Sequence, residues 1–323
     1  MKPFSFVNAK TIHEAVSLSK AYGTKTKLIA GGTDLLGELK DRVLLSQPEV
    51  LVNLKTIPFM DHIKEEEAVL RIGALTKLDQ IATSPIVNEK YNALAQAARS
   101  VGSPQIRNMG TIGGNLCQDV RCCYYRASPW CGPSFICLRK GGRVCYAVAG
   151  DNRYHSIFGG KKGCFAVYPS DMAPALVALN AQVKTSKRTA KLEELFHHST
   201  STILDTDEIV TEIMVPNPSG GTKSTYIKFA LRKAVDFAIV SVALVLTVNG
   251  GACEDVKIVL GGVAPNPWRP KAAEDSIQGK PIDARIAEAA SAAAVAEAIV
   301  LSDNRYKVQI AKTLVKRALL ACI

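Results

Sequence analysis

No stretch of this chain is apolar for long enough to cross a bilayer. The longest such run, Phe237 to Val248, is broken by Ser241 and Thr247. It falls short of the roughly 20 residues a span requires and reads as a buried strand. The opening MKPFSFVNAK lacks the apolar centre of an export signal, so a cytoplasmic location with reduced thiols is expected. Arginine-rich blocks are also missing. The 40 basic residues against 29 acidic ones, net +11, are spread from Lys2 to Arg317. That spread argues against nucleic acid and for an anionic cofactor and acidic partner proteins. Neither G-x-x-x-x-G-K-[ST] nor G-x-G-x-x-G occurs, which excludes a P-loop and the ordinary dinucleotide fingerprint. There is no Ser–His–Asp or paired-carboxylate constellation, and His197-His198 read as a solvated surface pair. Internal repeats and low-complexity tracts are absent too, and 47% apolar with 21% charged residues is the composition of a folded globular chain.

What the chain does have is cysteine, unevenly placed. Six of its nine cysteines, Cys122, Cys123, Cys131, Cys137, Cys145 and Cys164, fall between Gln118 and Tyr168. This stretch is basic, aromatic and Gly-rich, with no period long enough for a helix or strand of its own. Irregular loops of about 50 residues are far longer than usual. Metal coordination is one way to hold such a segment, because binding free energy then becomes folding free energy. Cys122, Cys137, Cys145 and Cys164 are separated by 14, 7 and 18 residues, without the C-x₂₋₄-C knuckles usual for zinc. Widely spaced Cys₄ sets also ligate iron–sulfur clusters. Spacing alone leaves cluster, zinc and unligated thiols open. His155 reads as a hydrogen-bonding residue of the loop. Cys117, Cys253 and Cys322 read as small buried hydrophobes.

Elsewhere the pattern is regular. Thr11–Glu14 is a capping-box signature for a helix that Gly23 stops. Strand-like Thr26–Ala30 ends at Gly31-Gly32-Thr33-Asp34, with a helix from Leu35. Leu51–Leu54 and Val69–Leu75 are strand-like, and Pro85 opens a helix to about Ser100. A second glycine loop, GTIGGN, covers Gly110 to Asn115. Ser170 and Asp171 occupy a helix N-cap position before Met172–Leu179. Strands follow at Gln182–Thr185 and Ile209–Val215. After the linker-like Pro216–Gly221, strands at Thr225–Leu231, Ile239–Val248 and Asp255–Leu260 precede helices over Ile282–Val300 and Val308–Ala321. Strands followed by helices imply a separate α+β unit. Each glycine loop alone fits a tight turn. Two of them, each between regular elements, favour a diphosphate-bearing ligand held by backbone N–H groups.

Three motifs in order, LIAGGTDLL, VGSPQIRNMGTIGGNLCQ and YPSDMAPALVAL, resemble the FAD-binding subunit of the molybdenum hydroxylase (xanthine oxidase) family. YIKFALRKAVDFAIVSVALVL and LGGVAPNPWR resemble that family's second domain, as in the carbon monoxide dehydrogenase flavoprotein. The resemblance spans nearly the whole chain. It implies an α+β fold: a two-subdomain FAD-binding (PCMH-type) domain over residues 1–218, then a smaller α+β domain over 219–323 with an antiparallel sheet and C-terminal helices. It also implies FAD held by Ile29, Ala30, Gly31, Gly32, Thr33, Asp34 and Leu35 on one side and Thr111, Gly113, Gly114 and Asn115 on the other. Val101, Asp171, Lys228 and Phe237 match positions beside the cofactor. The stretch 118–168 resembles the insertion of the 4-hydroxybenzoyl-CoA reductase subgroup, which carries an additional [4Fe–4S] cluster. On that match Cys122, Cys137, Cys145 and Cys164 are the ligands and Cys123 is the spare. The subgroup's last cysteine lies nearer Tyr154, so Cys164 stands in for it, with Cys131 in reserve. Because the glycine loops lie outside this stretch, FAD is expected to bind independently of it. Molybdopterin and plant-type [2Fe–2S] motifs are absent, so the implied partners are a molybdopterin-containing large subunit and a small [2Fe–2S] subunit, in a dimer of heterotrimers. The implied role is electron transfer between those subunits and an external acceptor or donor. Two rival readings are a stand-alone FAD-dependent reductase and a zinc-stabilised nucleotide-binding module.

Overall fold

The structure is a computed structural model that describes residues 1–127, 135–196 and 202–323. Three sheets organise it. The first is parallel, in the order β1-β3-β2, with β1 at Ser5–Asn8, β2 at Thr26–Ile29 and β3 at Val50–Asn53. Central β3 reads VLVN and is buried at all four positions, as a parallel strand covered on both faces should be. Helix Ile12–Tyr22 joins β1 to β2; Thr11 Oγ1 accepts from the Glu14 N–H, and Gly23 ends the helix at φ +51°. Only half of the expected capping box forms, because the Glu14 carboxylate turns to the N–H of Lys10.

The second sheet is antiparallel. Its strands are β4 (Ile63–Glu66), β5 (Val69–Gly73), β6 (Gln182–Thr185), β7 (Thr189–Lys191) and β8 (Val210–Pro216), in the order β4-β5-β8-β6-β7. The third sheet, also antiparallel, contains β9 (Thr222–Phe229), β10 (Val240–Asn249) and β11 (Ala252–Gly261), with β10 central. Gly250 and Gly251 take φ +56° and +82°, as a two-residue hairpin turn demands. The alternation of side chains explains why β10 is apolar almost throughout. Ala243 joins the core around Val52, Ile72, Leu94 and Leu176, while Val242, Leu244 and Leu246 face the C-terminal helices and pack with Ala287, Ala311 and Val315. This sheet is therefore covered on both sides. Among the described residues no helix is long and apolar enough to cross a membrane.

Three expectations need correction. The helix from Pro85 breaks at Tyr91 into Pro85–Lys90 and Asn92–Ser100, because Tyr91 turns fully inward and its hydroxyl bonds the Asn217 side chain. The Ala-rich segment is helical only over Ala284–Ala293, and beyond it the N–H of Ile299 bonds the Ile157 carbonyl at 2.7 Å. The cysteine-rich stretch does possess a small core of its own, with Tyr125, Cys137, Cys164 and Ala166 packed on Val43 and Val120. It is also clamped from the C-terminal side. Lys307, fully buried at the start of helix Tyr306–Ala321, donates to the carbonyls of His155 (3.0 Å) and Gly262 (2.5 Å). Asn304 donates to Ser156 O at 2.9 Å, and the Phe158 ring stacks on Trp268 with centroids 4.5 Å apart.

Candidate cofactor-binding site

The first glycine loop leaves the C-terminal end of β2 and the second opens the short helix Ile112–Leu116. They touch. A Cβ on Gly31 would lie 2.0 Å from the Met109 carbonyl oxygen, so only glycine permits the contact. Gly32 takes φ +72°, and Thr111 Oγ1 accepts from Gly114 N–H at 3.2 Å. Between and beside the loops lies a cavity of about 500 Å³, within the size range of cofactor sites.

Thirteen of the fifteen expected cofactor-binding residues line it: Ile29, Ala30, Gly31, Gly32, Thr33, Asp34, Leu35, Val101, Thr111, Gly114, Asn115, Asp171 and Phe237. Gly113 instead packs beneath, where an added Cβ would meet Ala74 O at 2.9 Å. Lys228 is connected through Asp171, whose Oδ2 accepts from its Nζ at 2.7 Å while Oδ1 accepts from the Tyr226 hydroxyl at 2.7 Å. Burial raises the Asp171 carboxyl above its ordinary range, and Lys228 and Tyr226 pull it back. Asp171 occupies the N-cap position of helix Met172–Ala178, as expected, but its side chain makes no capping hydrogen bond. That part falls to Ser170, whose Oγ accepts from Ala173 N–H at 3.0 Å and donates to Asn115 Oδ1 at 2.5 Å.

Sequence reasoning missed Tyr226, Arg121 and Arg139. Arg121 and Arg139 come from the cysteine-rich stretch and line the cavity, and the Arg121 guanidinium sits 4.8 Å from the centre of the Phe237 ring. Asp34 accepts from Arg121 (2.9 Å), Arg126 (2.8 Å) and the N–H of Asp119 (2.8 Å). The glycine loops are thus not independent of the stretch. The legible signal was an acidic residue closing a glycine loop with two arginines flanking the first cysteines, but no local period connects them.

Cys122, Cys137, Cys145 and Cys164 line a second, narrow cavity of about 10 Å³, together with Tyr124, Tyr125, Leu138, Arg139, Tyr146 and Ala166. Cys123 is not among its lining residues. Arg139, Cys164 and Ala166 line both cavities, so the two share a wall. His155 Nε2 lies 3.2 Å from Cys122 Sγ, the hydrogen-bonding role expected of it. Among the described residues no group of three or more His, Cys, Asp or Glu is arranged to hold a metal ion. Cys253 and Cys322 are buried as expected, but Cys117 is exposed and lines the first cavity instead of packing in a core. Cys131, His197 and His198 lie outside the described residues.

A parallel β-unit joined to an antiparallel sheet, with a cavity walled by two glycine loops and a further sheet-and-helix domain, defines a PCMH-type flavoprotein with its C-terminal domain. Residues 2–218 match the family described as FAD binding domain in molybdopterin dehydrogenase. Residues 225–322 match the CO dehydrogenase flavoprotein C-terminal domain. The chain is 33% identical to the aldehyde oxidoreductase FAD-binding subunit of Escherichia coli (strain K12), over 97% of this chain and 96% of that one. It is 30% identical to the carbon monoxide dehydrogenase medium chain of Hydrogenophaga pseudoflava, over 98% and 96%. A solved structure of carbon monoxide dehydrogenase from that organism, lacking the Mo-pyranopterin moiety, superposes with a TM-score of 0.79 at 29% identity, covering 99% of this chain and 97% of the other. The chain therefore belongs to the FAD-binding subunits of the molybdenum hydroxylase family, a family of oxidoreductases.

Proposed function

We propose that this chain is an FAD- and [4Fe–4S]-containing electron-transfer subunit, of the 4-hydroxybenzoyl-CoA reductase type, within a multi-subunit molybdenum hydroxylase. It would relay electrons between its partner subunits and an external acceptor or donor. The carrying observation is the shared wall: one cavity has two glycine loops, the other has four cysteines, and Arg139, Cys164 and Ala166 belong to both. Bound flavin supplies conversion between one- and two-electron transfer, while the protein sets distances and electrostatics. Ile29–Leu35, Thr111, Gly114 and Asn115 would cradle the cofactor, with Gly113 packing beneath, Val101 and Phe237 flanking, and Asp171 and Lys228 completing the polar side. The domains would be 1–218 and 219–323, with 118–168 as the iron–sulfur insertion.

The donor set suits a cluster in kind and number: four cysteines line one cavity, no carboxylate is among its lining residues, and Arg139 supplies positive charge. The thiols now enclose room for about one water, so holding a cubane requires them to separate. Zinc on the same thiols would likewise require them to move, and the wide spacing without C-x₂₋₄-C knuckles favours the cluster over zinc. Partners would be a molybdopterin-containing large subunit and a small [2Fe–2S] subunit, in a dimer of heterotrimers. In support, the relatives are called medium chains and FAD-binding subunits.

The test is the absorption spectrum and metal content of the purified chain. Flavin bands with a broad iron–sulfur shoulder and about four irons per chain are expected, and Cys137→Ser should abolish the iron. Flavin alone would leave a stand-alone reductase; one zinc and no iron would sink the cluster. Iron that survives Cys164→Ser but not Cys131→Ser would move the fourth ligand.

A further inference from the structure

Asp34 ends the first glycine loop at the N-cap position of helix Leu35–Lys40, yet its side chain makes no cap hydrogen bond. Its carboxylate is committed instead to the cysteine-rich stretch: Oδ1 to Arg121 and Arg126, Oδ2 to the backbone of Asp119. The two arginines differ in how fully they are used. Arg126 is pinned, its Nε donating to Val120 O at 2.7 Å and its Nη2 to Asp119 O at 3.2 Å. Arg121 is held by Asp34 on one side only. Its Nε is buried without a hydrogen-bond partner among the described residues, and it lines the cavity over the Phe237 ring. Arg139, held by Asp119 and lining the same cavity, also has a buried Nε with no partner. Buried donors are almost always satisfied. Two guanidiniums with a spare N–H each, on the wall of one cavity, call for a ligand rich in acceptors and negative charge. FAD is such a ligand.

We propose that Arg121 and Arg139 are cofactor-binding residues supplied by the cysteine-rich stretch, and that FAD binding and ordering of that stretch are coupled through the Asp34 ion pairs. The inference rests on the first cavity being the FAD site and is independent of any cluster. Coupling is reciprocal by linkage. Whatever affinity FAD gains from a well-placed Arg121 returns as order in the segment that carries it. The stretch is then a working wall of the flavin site.

The experiment uses the full chain stripped of flavin and titrated with FAD by fluorescence, with limited proteolysis between residues 121 and 162 with and without FAD. Wild-type chain should be cut more slowly once FAD is added. Arg121→Gln, which keeps the stem as far as Cδ and loses the guanidinium and its charge, should bind FAD about tenfold more weakly, the loss of one charge-assisted hydrogen bond. It should also show less FAD-dependent protection, and Arg121→Lys should recover part of both. Asp34→Asn, nearly isosteric, should mimic Arg121→Gln. Wild-type affinity in Arg121→Gln, or cleavage unaffected by FAD in wild type, overturns the inference. A wild-type chain that binds no FAD condemns the cavity assignment instead, so the two failures are distinguishable.

Discussion

Gly31 and Gly114 are glycines for different reasons, and substitution should separate them. At Gly31 an added Cβ meets the backbone of Met109 at 2.0 Å, so the loops must part. At Gly114 it meets only the Thr111 hydroxyl, at 3.0 Å, within its own turn. Gly31→Ala should therefore lower melting temperature and flavin content together, at a cost of roughly 1–3 kcal/mol. Gly114→Ala should leave the melting temperature within about 2 °C while lowering flavin per folded chain, if backbone N–H groups there approach phosphate. Equal thermal losses in both would refute that division. Nearby, burial pushes the Glu38 carboxyl up to about 7 despite Arg126 beside it, with the charges of Asp34 and Asp119 adding to the rise. A carboxyl whose folded pKa exceeds its unfolded 4.5 contributes stability fully below about 4.5 and loses it as pH rises through about 7. Glu38→Gln cannot ionise. It should match wild type near pH 4.5 and exceed it near pH 8 by on the order of 2 kcal/mol in denaturant unfolding. The glycine loops were legible because there are two, each set between regular elements and within motifs that resemble a known family's. Arg121 was not, because its partner Asp34 lies 87 residues away and no local pattern encodes a non-local ion pair.

Among elements, the third sheet was the most legible and the helices the least. Strand β10 carries a largely apolar run, broken only by Ser241 and Thr247 and bounded by Asn249-Gly250-Gly251, and its composition plus turn chemistry suffice to place it. Helix breaks at Tyr91 and after Ala293 depend on where a tyrosine ring and an isoleucine N–H find tertiary partners, which propensity cannot supply. The start of the C-terminal helix matters most for what it holds. Lys307 and Asn304 satisfy backbone carbonyls at Gly262 and at His155–Ser156. Asn304→Ala should raise amide hydrogen exchange over residues 152–157 while leaving β10 protected; unchanged exchange there would mean the clamp carries no weight. Burial pulls the Lys307 amine down to about 7 from 10.5. Its contribution is therefore present above about 10.5 and is lost as pH falls through about 7. Wild-type stability should climb with pH across that window on this group, and Lys307→Met should flatten the climb.

At the scale of the whole molecule, charge bears on how the chain meets other proteins. The net charge of +11 has no concentrated block, so it acts as a diffuse field on acidic partners. Association with the proposed large and small partner subunits should slow as salt rises from about 0.05 to about 0.5 M, with a smaller change in dissociation. Stopped-flow binding checks this, and a salt-independent association rate would assign recognition to apolar contact alone.

The cysteine-rich stretch departs after Leu116 and returns at Tyr168, and the Tyr168 hydroxyl donates to the Leu116 carbonyl at 2.6 Å. Just beyond, Ser170 bonds Asn115. The two ends of the excursion are thus stitched together by residues of the host fold, which bears the loop-closure entropy whatever the length between them. Such a joint fixes the ends but does not permit clean excision: Ile157 of the stretch packs in the core of the third sheet, and buried Lys307 would lose the His155 carbonyl. Nor does it permit gradual erosion. Removing half the stretch would strip Asp34 of Arg121 and Arg126 and leave a half-buried carboxylate facing the cavity without a counter-charge. A lineage that sheds this segment must replace Asp34 and Lys307 at the same time.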